Sequence, residues 1–134
     1  MIETVAAILI VDDGYALQLR DDLPGLIAFP GHWGLFGGTI HRDETRLAAV
    51  RREIEEELGL AVTAWRELWT EPYRSAFDGH LAHSVIFDAD VTTLWPTRSL
   101  AEGQAAGVFR LHGLPRPIIP LAATLLERHG RLRS

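Results

Sequence analysis

Glu53, Glu56 and Glu57 stand at i, i+3 and i+4 in the stretch RREIEEELGL. On a helix this spacing brings three carboxylates to one side, where like charges repel by about 0.2–0.5 kcal/mol per pair. A divalent cation among the oxygens removes that cost, and hard carboxylate ligands suit Mg2+ or Mn2+ rather than zinc or copper. Taken alone, a Glu-rich helix is more readily a solvated acidic face. The residues in front of it weigh the other way: Gly37-Gly38, Glu44 and Arg52 precede the carboxylates at fixed intervals. A glycine pair permits main-chain groups to approach a metal or a phosphate closely.

The carboxylates need a helix anchored on its other side. Leu47, Val50, Ile54 and Leu58 fall on one stripe at 3.6-residue periodicity, with Glu53, Glu56 and Glu57 on the flank beside it. Asp43 is the expected N-cap and Gly59 the expected C′ residue. Ahead of the helix, Glu3–Val11 predicts a strand, Asp12-Asp13-Gly14 a hairpin turn and Tyr15–Arg20 the returning strand. Asp21–His32, with two Pro-Gly pairs, predicts a long loop suited to substrate contacts. Trp33–Phe36 predicts a short strand running into Gly37. Behind the helix, Leu60–Thr70 and Leu81–Val91 predict long strands joined by a turn at Arg74–Gly79, and Val108–Leu111 a last short strand. Pro120–His129 predicts a second helix, ended by Gly130, in which Leu121, Leu125 and Leu126 face the sheet. Strands with one central and one terminal helix imply a mixed sheet covered by helices.

The chain has 134 residues, 47% hydrophobic and 23% charged, which fits a single domain over 1–134 with its own core. No apolar run has the roughly 18 residues a membrane helix needs, and Met1–Val11 lacks the basic start of a secretory signal. Cysteine is absent, which excludes disulfides and thiolate chemistry and is compatible with a cytoplasmic protein. The net charge of −5 and pI near 5.6 offer no broad nucleic-acid surface. All thirteen basic side chains are Arg, a bias expected of a GC-rich bacterial genome, and the lack of Lys excludes Schiff-base and P-loop lysine chemistry. The six histidines show no close zinc-ligand spacing. Trp33 and Phe36, beside the glycines, are candidates for an apolar substrate wall together with Gly37, and Arg20 for a phosphate contact. The plain alternatives are core packing for the aromatics and a strand-end ion pair for Arg20.

The segment GTIHRDETRLAAVRREIEEELGL resembles the signature of the Nudix hydrolases: a Gly, five residues, a Glu, seven residues, then Arg-Glu-apolar-any-Glu-Glu-any-Gly-apolar. Gly38, Glu44, Arg52, Glu53, Ile54, Glu56, Glu57, Gly59 and Leu60 fill every specified position. His41 and Asp43 depart from residues common in relatives outside the strict signature. The resemblance implies an α+β fold, the family's α/β/α sandwich with a mixed central sheet and the signature helix packed on it. It implies Mg2+-dependent attack of water on a diphosphate linkage of a nucleoside diphosphate derivative, with Mn2+ as a substitute. Glu53, Glu56 and Glu57 are the implied metal ligands, joined by the Gly38 carbonyl, with Arg52 orienting a carboxylate and Glu44 either joining through water or bracing the loop. Two residues compete for the role of general base, Glu102 in the loop Ser99–Ala106 and Glu56.

The substrate tags of subfamilies do not fit cleanly, since Pro72 and Tyr73 fall early. A compact chain leans toward a nucleoside triphosphate or a nucleotide-sugar. The expected partner is a nucleotide, and a homodimer built on the Trp-bearing strands is compatible with the family. The competing expectation is a non-catalytic Nudix domain that acts as a nucleotide sensor or protein-binding module.

Overall fold

The computed structural model describes residues 2–25, 28–75, 78–101 and 103–133. Its strands are β1 (Ile2–Val11), β2 (Gly14–Leu19), β3 (Trp33–Gly34), β4 (Phe36–Thr39), β5 (Arg66–Arg74), β6 (Leu81–Asp90) and β7 (Ala105–Phe109). Two α-helices, α1 (Arg46–Leu58) and α2 (Pro120–Arg133), complete the fold with two short 3-10 turns.

β1 is the axis of the sheet. It pairs in parallel with β6 along nearly its whole length, Ile2 opposite Ala82 through Ile10 opposite Asp90, and antiparallel with β2 near the hairpin. Beyond Leu9 and Ala16 the two hairpin strands part. The segment Trp33–Thr39 fills the fork, its first half paired with β2 and its second half with β1. β5 closes one edge against β6, and β7 lies on the far side of β2. The sheet is therefore mixed, as expected.

Alternation along β1 divides the core into two. Val5, Ala7, Leu9 and Val11 pack with Ala49, Val50, Ile54 and Leu58 of α1, whereas Ile8 packs with Tyr15, Leu17 and Ile86 under Leu125 and Leu126 of α2. Because both faces are covered, the strand reads as an almost unbroken apolar run. Helix, sheet and helix form three layers.

Local details differ from the sequence expectations for identifiable reasons. Thr45, not Asp43, caps α1, its Oγ1 accepting the Ala48 N–H at 3.1 Å. Asp43 instead takes a left-handed turn conformation at φ 66°. Leu47 lies on the solvent side at 45% exposure, and Ala49 takes the core position in its place. Leu60 and Val62 are buried without entering a ladder, so β5 starts at Arg66 and runs on to Arg74. The predicted strand Trp33–Phe36 is broken at Leu35 into β3 and β4, and the last strand forms earlier, at Ala105–Phe109. α2 continues through Gly130, where Leu111 Cδ2 lies 2.5 Å from the place a Cβ would take. Close packing against that turn, not helix termination, is the constraint at Gly130. No helix of the described residues is long and apolar enough to cross a membrane.

Candidate active site

α1 ends as the sequence requires: Gly59 adopts φ 66° and its N–H bonds the Glu55 carbonyl at 2.8 Å. With Ile54 and Leu58 fully buried beneath the helix, the carboxylate flank turns toward Gly37 and Gly38 on β4. Glu57 is itself 1% exposed, and its Oε2 accepts the Gly37 N–H at 3.2 Å. Gly38 faces Glu53: a Cβ there would lie 2.5 Å from the Glu53 carboxyl carbon. Gly37 has φ 152°, and a Cβ on it would collide with the Val5 backbone. Each glycine is thus required by close approach, the first to the sheet and the second to a carboxylate.

Arg52 is the hub of the flank. Its Nε and Nη2 donate to the two oxygens of Glu44 at 2.7 and 3.0 Å, and Nη2 also donates to the Thr39 carbonyl at 3.0 Å. Nη1 donates to Glu53 at 3.1 Å and to Glu56 at 3.2 Å. One guanidinium thereby spans three carboxylates and the end of β4, the planar fork that Lys does not offer. The Arg52 hydrogen bonds, followed by the His41 backbone N–H, lower the Glu44 carboxyl to about 2. Glu44 in turn raises the Arg52 guanidinium above its ordinary value.

Beside this flank opens a cavity of about 340 Å3, lined by Gln18, Arg20, Asp21, Gly37, Glu57, Ala101 and Gly103. The loop at its rim is tied on both sides. Ala101 N–H bonds the Glu57 carbonyl at 3.0 Å, and Gln104 bonds the end of β2 and the residue after it, through its N–H to Leu19 O and its side chain to Arg20 O, both at 2.8 Å. Glu102 lies outside the described residues. Arg20 Nε donates to the Ala28 carbonyl at 2.8 Å and also borders a second cavity of about 440 Å3. That second cavity is mostly apolar and includes Phe29, Tyr73, Ile119 and Leu121.

Of the candidate residues, Glu53, Glu56, Glu57, Arg52, Gly37 and Gly38 are brought together, and Arg20 lines the cavity with Gly37 and Glu57. Phe36 is not at the surface of the site: its ring is fully buried in the core under α1. Its ladder partner on β1 is Ala7, itself fully buried, and the surrounding core leaves the ring no path to a ligand. Trp33 packs edge-on against Phe109 at 4.9 Å between ring centres, on the α2 face of the sheet. Gln18 escaped sequence reasoning altogether; its signal is a polar residue at an inward-facing position of an apolar strand.

The donors suit a hard divalent cation, since the acceptor side chains on the flank are all carboxylates and Gly38 leaves one of them against the main chain. Among the described residues, however, no three carboxylate or imidazole groups converge into a ready metal cage. Arg52 draws Glu53 and Glu56 to itself, while Glu57 turns to the Gly37 amide. The donor chemistry fits the cation, and the closed arrangement is that of the flank gathered around Arg52.

Comparison with known proteins agrees with this architecture. The sequence pattern of the NUDIX domain matches residues 2–128. A nucleoside triphosphatase NudI from Salmonella agona is 44% identical over 57 residues, a stretch covering 42% of this chain and 39% of that relative. The chain thus matches well under two thirds of that protein's length. The crystal structure of a MutT NUDIX hydrolase from Burkholderia pseudomallei superposes with a TM-score of 0.78 at 27% identity, covering 94% of this chain and 95% of the other. The NUDIX domain of Shewanella oneidensis NrtR, complexed with ADP ribose, shares the fold at TM-score 0.78 and 21% identity, over 100% and 89% of the two chains. With the domain pattern spanning nearly the whole sequence and the signature helix set against Gly37 and Gly38, this chain belongs to the Nudix family.

Proposed function

We propose that the protein is a Mg2+-dependent pyrophosphohydrolase that cleaves the diphosphate linkage of a nucleoside triphosphate or nucleotide-sugar. The observation that carries this reading is the Arg52-centred carboxylate flank set beside a cavity bordered by Arg20. When bound, a divalent cation neutralises phosphoryl oxygens and lowers the pKa of water. Glu53, Glu56 and Glu57 with the Gly38 carbonyl would hold it. Arg20 offers a fixed cation to the phosphate chain, and Arg52 keeps the carboxylates from splaying apart. Glu102 and Glu56 both stand as candidates for the proton acceptor, and turnover of Glu102→Gln set beside that of Glu56→Gln decides between them. The apolar cavity beyond Arg20 has the character of a nucleoside pocket, with aromatic and aliphatic walls and an arginine at its mouth. The similarity to a nucleoside triphosphatase, though confined to 57 residues, favours a triphosphate. A cytoplasmic setting would supply both substrate and Mg2+.

The gathering of Glu53 and Glu56 on Arg52 favours a second reading, a Nudix domain that binds nucleotide without cleaving it. A panel of nucleoside triphosphates and nucleotide-sugars, incubated with Mg2+ and with Mn2+ and analysed for products by mass, separates the two. Glu56→Gln and Glu57→Gln should each lower turnover by orders of magnitude with the fold retained. Near wild-type turnover in both variants would refute the hydrolase, and binding without product release would establish the sensor.

A further inference from the structure

Gln18 is a polar side chain placed where the sheet otherwise holds core. Ala16 and Gln18 stand at alternate positions along β2, so they share the face that looks toward α1. Ala16 is fully buried in the core there, and Gln18 is 5% exposed. Its backbone is held between strands on both sides, opposite Gly34 of β3 and Ala106 of β7. Among the described residues its carboxamide has no hydrogen-bond partner, yet no side-chain polar atom sealed from solvent lacks one. Both statements hold because the amide reaches solvent through the cavity it lines with Arg20, Gly37 and Glu57. Gly103 makes room for it: a Cβ there would lie 3.2 Å from Gln18 Oε1. An amide that is largely buried yet open only to the cavity keeps its donor for what enters there.

We propose that Gln18 is a substrate-contacting residue whose side-chain amide donates a hydrogen bond to a nonbridging oxygen of the bound diphosphate. This deepens the reading of the site as a diphosphate site and rests on it. The chemistry of the neighbours selects a carboxamide. A carboxylate at this position would add to the charge of Glu57 and Asp21 and repel phosphate. An ammonium would pair with Glu57 and occupy the cavity itself. A neutral N–H donor on a backbone held from both sides does neither, and it is oriented before the ligand arrives.

The test uses Gln18→Leu, which keeps the bulk and removes the donor, and Gln18→Glu, which keeps the shape and reverses the polarity. Binding of Mg2+-pyrophosphate by calorimetry, kcat/KM on whichever nucleotide the wild type turns over, and Tm are measured for each. Gln18→Leu should keep its Tm and lose about 10–100-fold in pyrophosphate affinity and kcat/KM, the worth of one hydrogen bond to a charged group. Gln18→Glu should lose more. If Gln18→Leu does not fold, Gln18→Met takes its place with the same expectation. Unchanged affinity in a folded apolar variant, wild-type affinity in Gln18→Glu, or no pyrophosphate binding by the wild type would each overturn the proposal. A wild type that binds pyrophosphate but cleaves no nucleotide sinks the hydrolase reading alone, and the affinities of the variants still decide the role of Gln18.

Discussion

Glu44 and Arg52 are joined by two hydrogen bonds, at 2.7 and 3.0 Å, across the turn that leads into α1. The fork pairing fixes the guanidinium plane, and that plane sets where Glu53 and Glu56 end up. Glu44 therefore acts on the cavity from a distance, through Arg52.

Breaking this pair should damage the site more than the fold. Arg52→Ala and Glu44→Gln are each expected to lower kcat about 10–100-fold, the usual cost of removing a partner that orients ligands. Arg52→Lys should recover little, because an ammonium cannot grip two oxygens of Glu44 while reaching Glu53 and Glu56. Steady-state kinetics together with circular dichroism checks both halves of the expectation.

Gly38→Ala should separate carboxylate position from sheet stability. The new methyl would lie 2.5 Å from the Glu53 carboxyl carbon, so the acid must move while the strand pairing with Val5 remains. Turnover should fall at least about tenfold, with KM for Mg2+ raised. Gly37→Ala meets the Val5 backbone instead and, at φ 152°, should cost about 1–3 kcal/mol of stability in urea titration.

Mg2+ should stabilise the folded protein. At about 100 times its Kd, a cation that binds only the native state adds ~2.7 kcal/mol. Tm should rise with Mg2+, fall back with a chelator, and respond little in Glu56→Gln or Glu57→Gln. A wild type indifferent to both Mg2+ and Mn2+ would remove the metal from the account.

Acid stability should trace to a different cluster. On the α2 face, Tyr15 hydroxyl meets His129 Nδ1 at 2.9 Å, His129 Nε2 meets Asp88 Oδ2 at 2.7 Å, and Arg66 Nη2 donates to the same Asp88 oxygen at 2.7 Å. Burial pushes the Asp88 carboxyl up, but the hydrogen bonds from Arg66 and His129 outweigh it and hold the group below its ordinary value. A depressed carboxyl stabilises the fold fully above the unfolded value of 3.8 and loses that contribution as pH falls below it. Urea midpoints measured from pH 6 downward should therefore drop more steeply below about pH 4 in the wild type than in Asp88→Asn. Asp88→Ala should cost about 1–3 kcal/mol at neutral pH, since it leaves Nε2 of fully buried His129 without its partner.

The sequence by itself determined the local chemistry of the helix: apolar spacing at Val50, Ile54 and Leu58, a glycine able to turn left-handed at Gly59, and carboxylates on the adjoining flank. These follow from nearest neighbours along the chain, where periodicity and backbone freedom are decisive. It also implied, through the completed signature, that Gly38, Glu44 and Arg52 belong with them. Only the tertiary structure decided the rest. Phe36 went to the core and Gln18 to the cavity because the hairpin strands part and β4 enters the fork, a pairing with no short-range cue. Leu47 stayed outside, as α1 meets the sheet through Ala49 and Val50 instead. Thr45 displaced Asp43 as the cap when the turn before the helix took a left-handed step. The His129–Asp88–Arg66 cluster joins residues from β6, β5 and α2, and nothing in their spacing announces it. Contacts between distant segments depend on which strands lie side by side, and one linear pattern is compatible with many such pairings.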